Sequence, residues 1–351
     1  MDNIPELPIS DELKNAWRKE CFRTVAVGMR LRSEQDDFLK LLEKENIPYV
    51  ILKGTAAAVY YPDPSLRGMG DVDVYIPDKF HDIVDKLLSK NGYALVKDEE
   101  DDKRHNAYKK NNIEFEIHRS FATTNGSAEK AYIDGLLDEC NRDRSKSIRV
   151  VQGQTEFYMT QTNINGIVLL EHIGHHMVHG LGLRQIIDWM MFVKVNLHDE
   201  EWEEFQLMAQ KAGLETLAKT VTKMCVNHFG LKGNYTWCND ADDEVSEELL
   251  AYLFDSGNFG MKIHNISQVS TVENRIKHSK NIIVALQRAG ECNWKLYKRH
   301  RWLQPVAWVY QIFRYTRQII TSKDGIKTLK YGTEEANRRA ALMNRLEIYK
   351  A

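Results

Sequence analysis

The chain has 351 residues, of which 43% are hydrophobic and 28% charged, with a formal net charge of -2. That length suits two domains rather than one core, and the composition excludes both wholesale disorder and a generic polyanion-binding chain. The 5 cysteines (Cys21, Cys140, Cys225, Cys238 and Cys292) are odd in number, widely spaced and without a C-x-x-C pair, which argues against a disulfide framework or a cysteine zinc site. The acidic start, Met1 to Glu6, lacks the regions of a signal peptide, and no apolar run is long enough to span a bilayer, so a cytoplasmic protein is expected.

Residues 10–46 carry helical spacing. Leu13, Trp17, Cys21, Val25 and Met29 recur at four-residue steps, Phe38, Leu41 and Leu42 continue an apolar face, and Ser10 before Asp11 and Glu12 predicts the N-cap. The period then changes. Pro48 to Leu52 is a short strand-type run, Gly54 breaks it, Thr55 to Tyr61 reads as a short helix, and Pro62 to Ser65 as a loop. Asp71 to Ile76 alternates acid and apolar residues as a two-faced strand does. Residues 79–90 follow as a helix stopped at Asn91-Gly92. Strands are expected over 93–96, 105–109 and 113–118, with Asn111-Asn112 as a tight hairpin turn, and one or two more within 149–158. The run Asp98 to Asp102 reads as a solvated acidic loop. Beyond about 160 the pattern is helical, with candidates at 162–179, 184–195, 199–212, 214–229, 245–254, 272–289 and 301–320.

Asp71 and Asp73 stand at i and i+2 of a strand and therefore share a face. Paired carboxylates repel, and a divalent cation relieves that repulsion; Mg²⁺ prefers oxygen ligands and commonly keeps phosphate oxygens in its shell. Such a pair suits phosphoryl or nucleotidyl transfer, in which two metals about 4 Å apart can activate the attacking oxygen and stabilise the leaving one. A third acid is available on Ile113 to His118, where Glu114, Glu116 and His118 share one face. The same alternation also describes a half-exposed strand with a solvated acidic face. At the strand-to-helix turn Lys53-Gly54-Thr55, glycine permits close approach of backbone to a phosphate, and threonine supplies a hydroxyl donor.

The segment Ile51 to Ile76, with Gly54-Thr55 followed by Asp71-Val72-Asp73, resembles the uncharacterised nucleotidyltransferase family within the DNA polymerase beta-like superfamily. The resemblance is close over roughly 48–120 and looser through Leu170 to Trp189. It implies that Asp71 and Asp73 bind the metal–triphosphate with Glu116 as third acid, and that Gly54 and Thr55 contact phosphate. It also implies that Lys53 and Arg67 answer phosphate charge. Threonine in place of the commoner serine keeps the hydroxyl. Glutamate as third acid leaves Glu114 and Glu116 as alternatives.

Residues 171–179 place His172, His175, His176 and His179 at i, i+3, i+4 and i+7, one stripe of a helix. The metalloprotease string is absent, because Ile173 rather than Glu follows His172. Three readings stand for this stripe: a polar cleft wall for nucleotide or acceptor, a hydrogen-bonded interface, and a metal site. Arg184 and Asp188 follow as an i, i+4 pair beside the same cleft or as a helical ion pair. Farther on, Trp294, Lys295, Tyr297, Lys298, Arg299, His300, Arg301, Trp302 and Trp308 interleave bases with aromatics. The spacing of Trp302, Val306, Val309 and Phe313 predicts a core stripe with solvated bases; nucleic-acid or membrane-surface binding are the alternatives.

The expectation is an α+β fold. A small mixed-sheet nucleotidyltransferase domain with flanking helices spans 1–160, and a mainly helical domain spans 161–351. The expected activity moves a nucleoside monophosphate from an NTP such as ATP to an unknown hydroxyl acceptor, small-molecule or macromolecular, with Mg²⁺ or Mn²⁺. Glu114, His118, His172, His175, His176, His179, Arg184 and Asp188 are the candidate acceptor cleft. The rival readings are an inactive nucleotide-binding module of the same fold, and a toxin-like transferase acting on RNA or protein.

Overall fold

The computed structural model describes residues 9–96, 104–124, 126–152, 155–256 and 337–349, together with 303, 305, 306, 308–310, 313, 317 and 334; for residues 179 and 256 it describes the backbone only. The described chain is mixed α+β, with a sheet followed by helices.

In chain order the first unit contains α1 (Asp11–Lys44), β1 (Val50–Leu52), α2 (Gly54–Ala58), β2 (Asp71–Tyr75), α3 (His81–Lys90), β3 (Ala94–Val96), β4 (His105–Lys110) and β5 (Ile113–His118). Then come α4 (Ser127–Arg142), β6 (Ser147–Gln152), β7 (Thr155–Thr160) and α5 (Thr162–His179). The strands form one 7-stranded sheet in the order β3-β4-β5-β2-β1-β7-β6. β2 runs parallel to β5 and antiparallel to β1, and β1 meets β7 in parallel, so the sheet is mixed.

Ser10 caps α1 as expected, its side chain accepting from Leu13 N–H. The two halves of α1 differ. Leu13, Trp17, Cys21 and Met29 are exposed, whereas Leu31, Gln35, Phe38, Leu39 and Leu42 are buried. Phe38 stacks on Phe115 with centroids 5.0 Å apart and meets Tyr93 edge-on at 5.9 Å. Each such side chain taken fully from water is worth about 1.5–3 kcal/mol, so this half of the helix is held by the sheet and not by its own propensity.

The hairpin between β4 and β5 turns at Asn111 and Asn112 with φ of 50° and 61°. Positive φ at both central residues matches the right-handed strand twist, and asparagine tolerates it. This turn pairs Lys110 with Ile113 and, counting outward, His105 with His118. The sequence reading assigns no element between 119 and 148, yet α4 forms there, burying Ile133, Leu137 and Cys140 on one stripe. Asp138 of α4 accepts from Tyr75 Oη at 3.0 Å, tying the helix to β2.

Two compact units emerge. One holds the described residues up to 96 with 104–121 and 133–169; the other holds 122–132 and the described residues from 170 onward. The division falls within α4 and α5. The second unit continues with α6 (Leu183–Asn196), α7 (Asp199–Ala212), α8 (Glu215–His228) and α9 (Asp243–Ser256). Its core contains Trp189, Phe192 and Phe205. Trp189 Nε1–H donates to Thr222 Oγ1 at 2.9 Å, and Trp202 stacks on Trp237 at 4.0 Å. Residues 337–345 are also helical, and Leu342, Met343, Leu346 and Ile348 are buried.

The candidate helix 272–289, the acidic run 98–102, and residues 294–302 of the basic aromatic stretch lie outside the described residues. Farther along, Val306, Val309 and Phe313 are exposed and Trp308 is half-buried. The expected core stripe is therefore corrected at those three positions. Helical spacing aligns apolar side chains, but burial needs an opposing surface.

No helix among the described residues is long and apolar enough to cross a membrane.

Candidate functional site

The parallel pairing of β2 with β5 sets the geometry. Asp73 lies opposite Glu116 and Asp71 opposite Glu114. Ligand atoms of Asp71, Asp73 and Glu116 all lie within 4.8 Å of one another. Glu114 is placed farther along the same strand face and belongs to no such group among the described residues. The two-residue step between Glu114 and Glu116 thus selects the third acid by register.

Asp73 is only 2% exposed, and two cationic groups reach its Oδ1: Lys53 Nζ at 2.6 Å and His118 Nε2 at 2.9 Å. His118 Nε2 also lies 3.4 Å from Glu116 Oε2. Burial alone would lower the pKa of Lys53, but the charges of Asp73, Asp71 and Glu116 outweigh it and hold the amine above its ordinary value. Burial is likewise outweighed at His118 by its hydrogen bonds to Asp73 and Glu116, so the imidazole is raised. Burial works to raise Glu116, yet the hydrogen bond from His118 and the charge of Lys53 bring its carboxyl down to about 2. Asp71 is raised, first by the neighbouring charge of Asp73 and then by burial.

These shifts test whether a metal suits the site. Lys53 and His118 reach Asp73, while at Asp71 the charges of Lys53, Arg67 and His118 offset only part of the upward pull. The all-oxygen donor set of these three carboxylates fits a hard divalent cation. Asp71, Asp73 and Glu116 would hold it.

The turn before α2 brings backbone to the same place. Lys53 has φ 47°, a conformation uncommon for a side chain with Cβ, and Gly54 has φ 32°. A Cβ on Gly54 would stand 3.8 Å from the Asp71 carbonyl and 3.9 Å from Arg67 Nη1. Arg67 is thus beside the turn; it is 5% exposed, and its charge lowers the Asp71 carboxyl against the upward trend. Thr55 is placed differently from the expectation. Its hydroxyl donates to Gln35 Oε1 at 2.7 Å and it is 2% exposed, because α1 presents a buried amide at that point.

The histidine stripe belongs to the second unit. His172 and His176 bond to each other, Nε2 to Nε2, at 2.9 Å, and His175 Nδ1 lies 3.3 Å from Thr123 Oγ1. Asp188 is buried on α6 and Arg184 is half-buried. The dominant polar group of this helix is one the spacing argument passes over. Glu171, 1% exposed, accepts from Thr123 Oγ1 at 2.9 Å, from Thr124 N–H at 3.0 Å, and from Thr123 N–H and Thr124 Oγ1. Burial raises its carboxyl, with all four donors pulling against that rise.

Two residues of the acid site escape a reading by alternation. Lys53 meets Asp73 only through strand pairing, since Leu52 is the residue opposite Asp73. His105 enters through the hairpin register and stands with Glu116 and His118 in a second group of ligand atoms, again within 4.8 Å. Counting from the Asn111-Asn112 turn is the signal that finds it. A separate cavity of about 850 Å³ in the sheet unit is lined by Pro48, Pro77, Asp138, Asn141 and Arg144 among others, and Asp71, Asp73 and Glu116 do not line it.

Several solved structures are similar to this chain. The solution structure of the antibiotic-resistance factor ANT(2'')-Ia is 8% identical, covering 57% of this chain and 97% of its own, with a TM-score of 0.38. The crystal structure of ANT(2")-Ia in complex with adenylyl-2"-tobramycin is 9% identical over 52% and 97%, at 0.38. An antigenic nucleotidyltransferase-like protein from Paracoccidioides brasiliensis is 16% identical over 59% and 95%, also at 0.38. No curated protein matches the sequence. Residues 2–230, a span that takes in the acid cluster, the glycine turn and the histidine helix, match the model of the family described as uncharacterised nucleotidyltransferase, and the chain belongs to that family.

Proposed function

We propose that the protein transfers a nucleoside monophosphate from an NTP to a hydroxyl acceptor, with a divalent cation held by Asp71, Asp73 and Glu116. The convergence of those three carboxylates within 4.8 Å beside the Gly54 turn carries this reading. A bound Mg²⁺ or Mn²⁺ would supply charge neutralisation and polarise phosphate oxygens. The oxygen of the acceptor hydroxyl attacks the α-phosphorus in line and gives up its proton to solvent, the bond from that phosphorus to the bridging oxygen breaks, and pyrophosphate leaves with the electron pair. Lys53 and Arg67 answer the negative charge of the triphosphate, and the Lys53-Gly54-Thr55 backbone lets phosphate approach. Glu116, its carboxyl held low by the hydrogen bond from His118 and the charge of Lys53, supplies negative charge for the cation. Glu114 and His118 border the same face.

One observation favours a second reading, a nucleotide-binding module without catalysis. The Lys53 ammonium lies 2.6 Å from Asp73 and offsets part of the acid charge without any metal. Calorimetry with ATP, GTP, CTP and UTP, each with and without Mg²⁺, tests both. Metal-dependent binding abolished by Asp71→Asn/Asp73→Asn supports the transferase. Binding that ignores both metal and substitution supports the module, and no binding to any NTP by the native protein sinks the nucleotide site.

A further inference from the structure

We propose that His105, Glu116 and His118 form a second metal site, for a transition-metal dication such as Zn²⁺ or Co²⁺, which adjoins the acid cluster and shares Glu116 with it. The strand arrangement builds it. His105 and His118 are direct cross-strand partners on β4 and β5, and Glu116 precedes His118 by two residues on the same strand face. Directly opposed residues on one face lie close enough for their side chains to meet, and their ring centroids stand 5.2 Å apart.

The distances suit one ion. Ligand atoms bonded at about 2.1 Å to a tetrahedral ion stand about 3.4 Å from each other. His118 Nε2 and Glu116 Oε2 are already 3.4 Å apart. All three ligand atoms fall within 4.8 Å, so bringing His105 into the shell needs a side-chain adjustment and no change of strand register.

Donor type separates this site from the neighbouring one. Asp71, Asp73 and Glu116 present oxygen only, which suits Mg²⁺; two imidazoles with one carboxylate suit a softer dication and leave a coordination position for water or an acceptor oxygen. Engaging the metal takes His118 away from Asp73, but Asp73 keeps Lys53 at 2.6 Å and is not left without a partner. Phe121, edge-on to the His118 ring at 5.7 Å, helps to fix its plane.

The experiment is a Co²⁺ titration of chelator-treated full-length protein, read by visible absorption and by calorimetry. We expect one equivalent with the intense bands of low-coordinate, nitrogen-containing ligation. In His105→Ala those bands are lost and affinity falls by at least about tenfold, the scale on which even indirect partners of a metal act. His105→Gln, with thermal melting run on both variants, guards against a folding defect. In Asp71→Asn the bands persist, so a failed nucleotide site leaves this result intact. Unchanged bands and affinity in folded His105→Ala and His105→Gln overturn the proposal. So does a wild-type protein that binds no Co²⁺, or that gives only the weak bands of an all-oxygen octahedral site.

Discussion

The acid strands and the histidine helix look alike in the sequence: each sets ligating residues at the spacing that puts them on one face. Their structures differ. On β2 and β5 the shared face is multiplied by pairing, so Asp73 meets Glu116, Lys53 and His118 from three directions. On α5 the polar groups are already paired with protein groups, Glu171 with the distant Thr123-Thr124 backbone and hydroxyls, and His172 with His176 one turn away. Strand neighbours converge because adjacent strands lie about 4.8 Å apart with side chains in register, whereas a helix alone supplies one line of side chains and needs a second element to close a site.

Substitutions at four positions break or sharpen this contrast. Asp73→Asn should have the largest effect, with metal-dependent nucleotide binding lost by about 10²-fold or more while circular dichroism keeps the native fold. Retained binding would dissolve the distinction between the two regions.

Glu171→Ala should act on stability. It removes the carboxylate that accepts four hydrogen bonds from Thr123 and Thr124, at a cost of about 3 kcal/mol, read as a lower midpoint in urea. The sign of its pH dependence follows from the raised carboxyl. Below the ordinary carboxylate range both states are protonated and the group costs nothing. As pH rises through the interval between the unfolded and the folded pKa, the unfolded state ionises first, and stability is lost across that window. Glu171→Gln should flatten that slope, and a native slope that survives the substitution would show that another group carries it.

Gly54→Ala comes next, at about 1–2 kcal/mol, because φ of 32° disfavours a Cβ. Its nucleotide affinity should fall together with stability if the turn approaches phosphate; stability alone should change if the turn is only a bend.

The smallest effect is expected for His176→Ala, about 1 kcal/mol from the lost imidazole pair, with Mg²⁺-dependent nucleotide binding unchanged. A drop in that binding would place the histidine stripe in the chemistry and undo the contrast.

The legible features were those with short-range causes. Period-two alternation marks the strands over 71–76 and 113–118; two asparagines mark the hairpin; Ser10 marks the start of α1. Helical spacing locates α5 to α9 within a residue or two at most ends. Even the His105–His118 pairing follows from counting back from the Asn111-Asn112 turn. Helix α4 carries the same kind of stripe in Ile133, Leu137 and Cys140, but its flanking start and stop signals are weak.

Local pattern determined which residues share a face, where the chain turns, and that Asp71 and Asp73 stand together. Only the tertiary structure decided that β1 lies beside β7, that Glu116 rather than Glu114 completes the acid group, that Gln35 captures the Thr55 hydroxyl, and that the first half of α1 stays exposed. The reason is physical. Periodicity is a property of one segment, set by backbone geometry over a few residues, while register, burial and pairing depend on which distant segment packs against it.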